Sequence, residues 1–210
     1  MVKLAGGDIV HSFAVPPTQP CGLAFDGKYL WLAGRDTNLI YQIDPYTGAI
    51  IRTFAGPAAS PVGLTFDGKY LWITDDGTCR IYQVDPFTGA VLRSFATVGK
   101  NAVGLTFDGK YLWLVDNIGA TIYQIDPYTG TVIRSFAAPD AACIGLAFDG
   151  KYLWISDFVT NVAYQIDPYT GIALRSIPLT ATTPVGLTFD GKYLWNSEWS
   201  TATVYQLAVA

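Results

Sequence analysis

The chain has 210 residues, of which 50% are hydrophobic and 14% are charged, so it can bury a large core and is not intrinsically disordered. Its net charge of −4 is small and of the wrong sign for binding nucleic acid. The sequence has no apolar run of transmembrane length, its first residues do not resemble a signal peptide, and its three cysteines cannot all pair within the chain. These features predict a cytoplasmic protein that binds neither nucleic acid nor membrane.

A decapeptide, Gly-Leu-Ala-Phe-Asp-Gly-Lys-Tyr-Leu-Trp, recurs through the chain with a period of 41 residues. Nine of its ten positions are identical in all five copies, which begin at Gly22, Gly63, Gly104, Gly145 and Gly186. Five units account for 205 of the 210 residues without an insertion or a deletion. Recent amplification or deliberate engineering would produce such repeats, and an engineered chain would carry no evolved function.

Each unit is predicted to form four short strands, which in the second unit cover residues 62–66, 70–74, 80–84 and 90–95. Asp67-Gly68 is typical of a two-residue hairpin turn, since both residue types accept a positive φ. The first two strands are apolar on both faces, as expected for sheets covered on both sides. The fourth strand carries a repeated arginine and is expected to lie outermost.

Four antiparallel strands repeated about every 40 residues are typical of β-propeller blades. The two ends of the chain are complementary, because residues 7–13 align with the fourth strand of other units and the last unit stops after its third strand. We therefore predict an all-β, five-bladed propeller that forms one domain over residues 1–210. Residues 1–14 would supply the outer strand of the last blade and close the ring.

The repeated segments Phe-Asp-Gly-Lys-Tyr-Leu-Trp and Ile-Tyr-Gln-Ile-Asp-Pro-Tyr-Thr-Gly resemble blades of the NHL, streptogramin-lyase-like and glutamine-cyclotransferase-like propellers. The resemblance covers all five units. It implies the propeller fold, and it implies a range of functions that includes lyases, cyclotransferases, lactonase relatives and interaction modules.

Sequence differences between the units are concentrated in two connections, the one after the second strand and the one between blades. Because strands alternate in direction, both connections lie at the same end of the propeller, and a binding site is expected on that face. Tolerated drift in surface loops is the alternative explanation. The lysine of each decapeptide lies in the other, invariant turns and is expected to form a solvated rim.

An acidic residue follows the second strand in four units, at Asp75, Asp116, Asp157 and Glu198. Ring closure would place the four carboxylates around the channel mouth, and oxygen ligands of this kind suit calcium or magnesium. Alternatively, each carboxylate caps its own loop by accepting hydrogen bonds from nearby backbone amides.

The next position differs in every unit and contains Arg35, Asp76, Asn117, Phe158 and Trp199. Phe158 and Trp199 on neighbouring blades could stack against a flat ligand such as a sugar, while the polar members make hydrogen bonds to it. Packing of Trp199 within its own loop is the alternative.

Groups suited to enzyme chemistry are scarce. The single histidine, His11, falls in the outer-strand position that the repeated arginines occupy, and the cysteines at Cys21, Cys79 and Cys143 have no metal-ligand spacing. No catalytic residue is expected. The sequence therefore favours a non-enzymatic, monomeric scaffold for a protein, small-molecule or glycan ligand, with no cofactor apart from calcium or magnesium at the channel mouth. A carbohydrate-binding lectin and a metal-dependent enzyme of the lactonase or cyclotransferase kind are the alternatives.

Overall fold

The computed structural model describes residues 4–99, 101–180 and 182–209, which form twenty β-strands and no helix. The strands assemble into five four-stranded antiparallel sheets, the blades of a propeller. The predicted all-β, five-bladed fold is confirmed. Residues 1–3, part of the segment predicted to complete the last blade, lie outside the described residues.

In each blade the strands run from the propeller axis outward in chain order, except that the last blade takes its outer strand from the beginning of the chain. Blade 1 contains β2 (Pro20–Phe25), β3 (Leu30–Gly34), β4 (Leu39–Ile43) and β5 (Ile50–Ala55). Blade 2 contains β6 (Pro61–Phe66), β7 (Leu71–Asp75), β8 (Arg80–Val84) and β9 (Val91–Ala96). Blade 3 contains β10 (Ala102–Phe107), β11 (Leu112–Asp116), β12 (Thr121–Ile125) and β13 (Val132–Ala137). Blade 4 contains β14 (Cys143–Phe148), β15 (Leu153–Asp157), β16 (Val162–Ile166) and β17 (Ala173–Pro178). Blade 5 contains β18 (Pro184–Phe189), β19 (Leu194–Glu198), β20 (Thr203–Leu207) and β1 (Ile9–Ala14).

The first turn of each blade is longer than the predicted two-residue hairpin. In blade 2, Phe66 pairs with Leu71, so four residues separate the strands. The Asp67 carboxylate accepts hydrogen bonds from the backbone amides of Lys69 and Tyr70, at 2.8 and 2.7 Å. These bonds hold Tyr70 in the turn, which explains why the second strand begins one residue later than predicted.

Backbones of neighbouring blades approach closely around the axis, at the glycine that opens each decapeptide. A Cβ atom added to Gly145 would collide with the Val185 carbonyl of the next blade. In three blades a hydroxyl bridges this contact. For example, Ser156 Oγ accepts from the Gly145 amide at 2.9 Å and donates to the Val185 carbonyl at 3.0 Å. The absence of a side chain at this position therefore sets how tightly the blades pack.

The repeated tryptophans are at most 2% exposed and lie in the apolar layers between blades. Trp31 of blade 1, for example, belongs to the same buried cluster as Leu64, Leu71 and Ile73 of blade 2. Each indole Nε1 donates to the aspartate of its own first turn, at 2.8 Å from Trp31 to Asp26. A large apolar ring is thus buried without leaving its polar atom unpaired.

The repeated outer-strand arginines connect consecutive blades. Arg134 Nε donates to Gln124 Oε1 at 2.8 Å, and its Nη1 donates to the Tyr169 carbonyl of the next blade at 3.4 Å. Its guanidinium carbon lies 5.5 Å from the Trp113 ring centroid and 5.2 Å from that of Tyr169, so the cation is sandwiched between two blades. We call this arrangement the arginine bridge. Arg52 forms the same bridge from blade 1 to Phe87 of blade 2.

The contact between blades 5 and 1 differs, because His11 takes the position of the arginine opposite Gln206. Its Nε2 is buried and has no hydrogen-bond partner among the described residues. β1 itself is firmly paired with β20, and Phe13 packs on Trp195 with ring centroids 6.2 Å apart. No helix in the described ranges is long and apolar enough to cross a membrane.

Candidate functional site

The two variable connections meet at one end of the propeller, where the same backbone hydrogen bond joins them in every blade. The residue at the variable loop position donates its amide to the carbonyl of a residue just before the first strand of that blade. The five donors are Arg35, Asp76, Asn117, Phe158 and Trp199, with distances of 3.0 to 3.3 Å. Because these equivalent positions are held around one axis, their side chains are brought together.

The loop after the second strand is folded by its own side chains. In blade 2, Asp75 Oδ1 accepts from the Thr78 amide and hydroxyl, both at 2.8 Å. The loop ends at Cys79 in the left-handed region, with φ at 52°, and a residue of positive φ stands at the same place in each blade. The loop conformation set by Asp75 and Cys79 places Asp76 at the axial opening.

A cavity of about 340 Å³ opens at this face. Its floor contains one apolar residue from the innermost strand region of each blade: Cys21, Val62, Val103, Ile144 and Val185. Its wall contains all five residues predicted as ligand contacts: Arg35, Asp76, Asn117, Phe158 and Trp199. Asn101 and Thr183, from the connections between blades, complete the lining. The volume is typical of small-molecule sites, and ligand binding by the five wall residues stays a prediction.

One side of the cavity is polar and carries both charges. Arg35 Nη2 donates to Asp76 Oδ2 at 2.8 Å, the one ion pair found among the described residues. The two side chains are 35% and 31% exposed, so both charged groups remain accessible from the cavity. Next to them, Asn101 Nδ2 donates to Asn117 Oδ1 at 2.7 Å. This side can neutralise charge and exchange hydrogen bonds with a ligand.

The opposite side of the cavity is apolar. Phe158 is 37% exposed, and Trp199 is partly buried against the cluster that contains the floor residues Val103 and Val185. Trp199 thus both packs within the fold and faces the cavity, so the two alternatives weighed for it are compatible. The cavity as a whole suits a ligand with one polar and one apolar end.

The four acidic residues predicted as metal ligands do not line this cavity. All four are buried, at 2% exposure or less, and each accepts hydrogen bonds from its surroundings. Among the described residues, no three His, Cys, Asp or Glu side chains are grouped so that they could hold a metal ion. The arrangement therefore matches loop capping, and calcium or magnesium binding by Asp75, Asp116, Asp157 and Glu198 stays a prediction.

Glu198 is the most heavily hydrogen-bonded of these carboxylates. Burial would raise its pKa, but hydrogen bonds from Thr183, Thr201 and Ser200 outweigh burial and lower the pKa to about 2. Thr183 Oγ1 donates at 2.6 Å and Ser200 Oγ at 2.7 Å. The Glu198 carboxylate is therefore ionised at neutral pH and stabilises its loop through hydrogen bonds rather than acting as a proton donor.

The cysteines and the histidine take no part in a reactive cluster within the described ranges. Burial raises the pKa of both Cys21 and Cys143 to about 12, so neither is a thiolate at neutral pH. Cys79 is exposed in its loop, and all three thiols are free. His11 lies on the outermost strand, away from the axial cavity.

Sequence reasoning missed Asn101, which stands before the first strand of blade 3. The connection between blades was predicted to be at the right end of the propeller, yet Asn101 follows no repeated pattern that would single it out. Its proximity to Asn117 depends on the return of the chain from the outer strand to the axis. The differing residue at this position in each unit was the available signal.

Comparison with known proteins gives the fold and little else. No family model matches the chain, and no curated protein sequence matches it. Among solved structures, the chain is similar to a glutaminyl cyclase of Myxococcus xanthus, with a TM-score of 0.83, 14% identity and 97% of each chain covered.

Two other solved structures are also similar. A virginiamycin B lyase of Staphylococcus aureus matches with a TM-score of 0.56 and 22% identity over 94% of this chain and 69% of the other. Hydrazine synthase of Kuenenia stuttgartiensis matches with a TM-score of 0.60 and 12% identity over 94% and 97% of the two chains. The predicted likeness to cyclotransferase and lyase propellers is confirmed at the level of the fold.

The prediction of a non-enzymatic scaffold is wrong. Its basis was the lack of catalytic histidine and cysteine, whereas structures that share this fold include a glutaminyl cyclase and a lyase. The lectin alternative gains no support from these structures either. At identities of 14% and 22% the similarities establish the fold alone. The activity of this chain is therefore a matter for proposal.

Proposed function

We propose that the axial cavity is the active site of a cyclotransferase that closes N-terminal glutaminyl residues into a lactam and releases ammonia. The observation that carries the proposal is the accessible Arg35–Asp76 pair, at 2.8 Å, inside a cavity of small-molecule size. The similarity of the whole chain to a glutaminyl cyclase supports the choice of reaction.

In this reaction the substrate's uncharged α-amine attacks the carbonyl carbon of its own side-chain amide. A new carbon–nitrogen bond forms, and the carbonyl oxygen carries a negative charge in the tetrahedral intermediate. Asp76 accepts the proton that the attacking nitrogen loses and delivers it to the departing amide nitrogen, which leaves as ammonia. One carboxylate suffices, because the proton gained in the first step is returned in the second.

Arg35 and Asn117 are positioned to stabilise the negative charge that develops on the carbonyl oxygen. The Arg35 guanidinium and the Asn117 amide can each donate a hydrogen bond to the oxyanion, which is stabilised most strongly where water is excluded. Trp199 and Phe158 form the apolar wall against which the rest of the substrate lies. The backbone of Asp76 is held in place, because its amide donates to the Ser60 carbonyl at 3.0 Å.

The proposal is tested by following ammonia release and the mass loss of a glutaminyl peptide, against the spontaneous rate without enzyme. Asp76→Asn should lower kcat by about 10²- to 10⁴-fold, the usual contribution of a general base. Asp36→Asn is the matched control, since Asp36 is exposed, bonds to Thr18 and does not line the cavity. The proposal fails if the unmodified protein does not exceed the spontaneous rate, or if the two variants lose activity equally.

The proposed chemistry requires no cofactor. A calcium or magnesium ion bound by the acidic residues would instead stabilise the folded protein. Thermal unfolding with EDTA, followed by addition of calcium or magnesium, tests such a site, because a ligand specific for the folded state raises the melting temperature. We expect the protein to work as a monomer in the reducing cytoplasm, which the free thiols favour.

A further inference from the structure

The invariant face carries a second kind of cavity, located between consecutive blades and opposite the axial opening. The cleft between blades 3 and 4 has a volume of about 500 Å³ and is bordered by Lys110, Lys151, Arg134, Tyr169 and Phe148. Equivalent clefts of about 510 and 540 Å³ lie between blades 2 and 3 and between blades 5 and 1. These clefts are built from the repeated turns, so they share their chemistry.

Each of these clefts is positively charged although the chain is negative. Lys110, Lys151 and Arg134 line the cleft between blades 3 and 4 together with one carboxylate, Asp108. Asp149 and Asp167, outside this lining, also attract Lys151. Asp108 is already occupied: it accepts from the Lys110 and Tyr111 amides, from Trp113 Nε1 and from Gln124 Nε2, at 2.7 to 3.4 Å. Among the described residues none of the three cations forms an ion pair, so each can attract an anion from solution.

Each of these cations lies next to an aromatic ring. Lys110 Nζ lies 4.8 Å from the centroid of Tyr111, and Lys151 Nζ lies 4.7 Å from that of Tyr152. Arg134 is held by the arginine bridge described above. A cation that is already positioned loses less conformational freedom when it binds an anion.

The walls of the cleft suit a planar ring. Tyr169 is 78% exposed, and Phe148 and Pro168 line the same space. The volume lies in the range of drug-sized sites, so a bare inorganic anion would leave most of the cleft empty. Lysine and arginine are both established binders of phosphate groups.

We propose that the clefts between blades bind a phosphate monoester carried on a planar ring, either a nucleoside or an aryl group. The phosphate lies between the two lysines and the arginine, and the ring lies against the exposed tyrosine. The clefts and the axial cavity are at opposite ends of the molecule and share no lining residue, so this proposal does not rest on the proposed cyclotransferase activity.

The cleft between blades 5 and 1 provides an internal comparison. It contains Lys28, Lys192 and Tyr46, but no arginine is among its lining residues, since His11 replaces the arginine in β1. Of the three described clefts, it should bind the phosphate monoester most weakly.

The experiment titrates the protein with AMP and, separately, with phenyl phosphate. Binding is measured by calorimetry and by the NMR shifts of the backbone amides of Tyr111 and Tyr169. Adenosine and inorganic phosphate are separate arms that supply the ring and the anion alone. We expect the intact probe to bind at several equivalent sites, with a Kd at least about tenfold lower than either part. Comparison of AMP with phenyl phosphate distinguishes a nucleoside from an aryl ligand.

Lys110→Met removes a cation that borders both the cleft between blades 2 and 3 and the cleft between blades 3 and 4. It should weaken binding at those clefts about tenfold, the effect of losing one hydrogen bond to a charged group. Arg80→Gln is the charge-matched control, because Arg80 bonds to Ser94 and borders neither cleft. Failure of both probes to bind, equal binding of inorganic phosphate alone, or equal effects of the two variants would overturn the proposal.

Discussion

Asp75 and Asp157 occupy the same place in their blades but have different hydrogen-bond partners. Asp75 uses both oxygens, since Oδ2 accepts from the Ser60 amide at 2.7 Å and Oδ1 accepts from Thr78. Asp157 accepts from two loop amides through Oδ1, while its buried Oδ2 has no hydrogen-bond partner among the described residues. The amide that corresponds to that of Ser60 belongs to Ala142, and it donates to Asp140 instead, at 3.2 Å.

This difference predicts opposite responses to the same substitution. Asp157→Asn should leave the free energy of unfolding unchanged or raise it, because the amide keeps the acceptor oxygen that the loop uses and replaces an incompletely hydrogen-bonded buried charge with a neutral group. Asp75→Asn should cost about 1 to 3 kcal/mol, since its new NH₂ group would face the Ser60 amide. Urea denaturation of the two variants measures both effects. Equal destabilisation by the two changes would contradict the assigned hydrogen bonds.

Glu198 predicts a pH dependence with a definite sign. Its pKa is lowered in the folded state from 4.5 to about 2, so its contribution to stability is complete above pH 4.5 and is lost as the pH falls through about 2. The contribution is at most about 3 kcal/mol. Glu198→Gln should therefore be less stable than the unmodified protein at pH 7, and the two should converge near pH 2. A difference in unfolding free energy that stays constant across this range would contradict the assignment.

At the scale of single residues, the sequence indicates which loop positions matter but not what their side chains contact. Spacing alone places Arg35 and Asp76 on neighbouring blades at one face, and both line the axial cavity. The ion pair between them depends on the path of two side chains across the opening, which spacing does not determine. The capping role of Asp75 was one of two alternatives, because a carboxylate beside loop amides and a carboxylate beside a metal ion have the same local sequence.

The arginine bridge is the element-scale feature that unites turns, strands and neighbouring blades. One guanidinium binds the glutamine of its own blade, lies on its own tryptophan and meets the turn of the next blade. At the contact of blades 5 and 1, Trp195, Gln206 and Tyr46 are all present, but His11 stands where the arginine would be. This contact therefore lacks one cation rather than an entire binding arrangement.

His11→Arg should raise the free energy of unfolding by about 0.5 to 1 kcal/mol, the value of a cation–π contact near the surface. The reciprocal change Arg134→His should lower it by a similar amount, because it removes an intact bridge. Thermal unfolding of both variants, at a pH at which histidine is neutral, provides the comparison. A loss of stability in His11→Arg would show that the guanidinium does not fit between Trp195 and Tyr46.

The strands themselves were predictable, whereas the turn that joins the first two of them was not fully so. Asp67-Gly68 has the composition of a two-residue hairpin, yet Gly68 alone adopts a positive φ, at 94°, and Asp67 folds the next two amides onto its carboxylate. The same aspartate also accepts from Trp72 Nε1 at 2.7 Å. That tertiary contact, made by a side chain five residues away, selects the longer turn.

Ring closure at the scale of the whole molecule depends on how closely neighbouring blades approach the axis. The glycine at the start of each decapeptide lies against the backbone of the next blade, and hydroxyls such as that of Ser156 bridge the gap. Glycines in the first turns, by contrast, face open space. Two glycines of one blade therefore serve different purposes, packing for Gly145 and backbone conformation for Gly150.

Gly145→Ala should lower the free energy of unfolding by about 3 kcal/mol or more, because the added Cβ forces blades 4 and 5 apart. Gly150→Ala should cost about 1 to 2 kcal/mol, since its φ is 94° but no atom of the described residues lies within 4 Å of an added Cβ. Guanidinium denaturation separates the two values. If the Gly150 variant proved the less stable of the pair, close axial packing would not be what limits the ring.

The number of blades, their strand order and the closing strand β1 followed from the 41-residue period and the complementary ends. Function did not follow, because the repeats encode the scaffold and the invariant positions are occupied by scaffold chemistry. The absence of a catalytic histidine argued against an enzyme only on the assumption that histidine was needed. A carboxylate and a guanidinium supplied by two different blades, Asp76 and Arg35, become visible as an ion pair only in the packed structure.

Each blade contributes one floor residue and one wall residue to the axial cavity, and the units are of equal length. Homologous recombination that replaces one unit by another would therefore change the part of the cavity lining that this unit supplies, while the remaining blades keep their register. A change of blade 5 alone, with the connection before it, would exchange Thr183, Val185 and Trp199 and leave Arg35 and Asp76 in place. New ligand specificities can therefore arise in this architecture by shuffling of whole units of equal length.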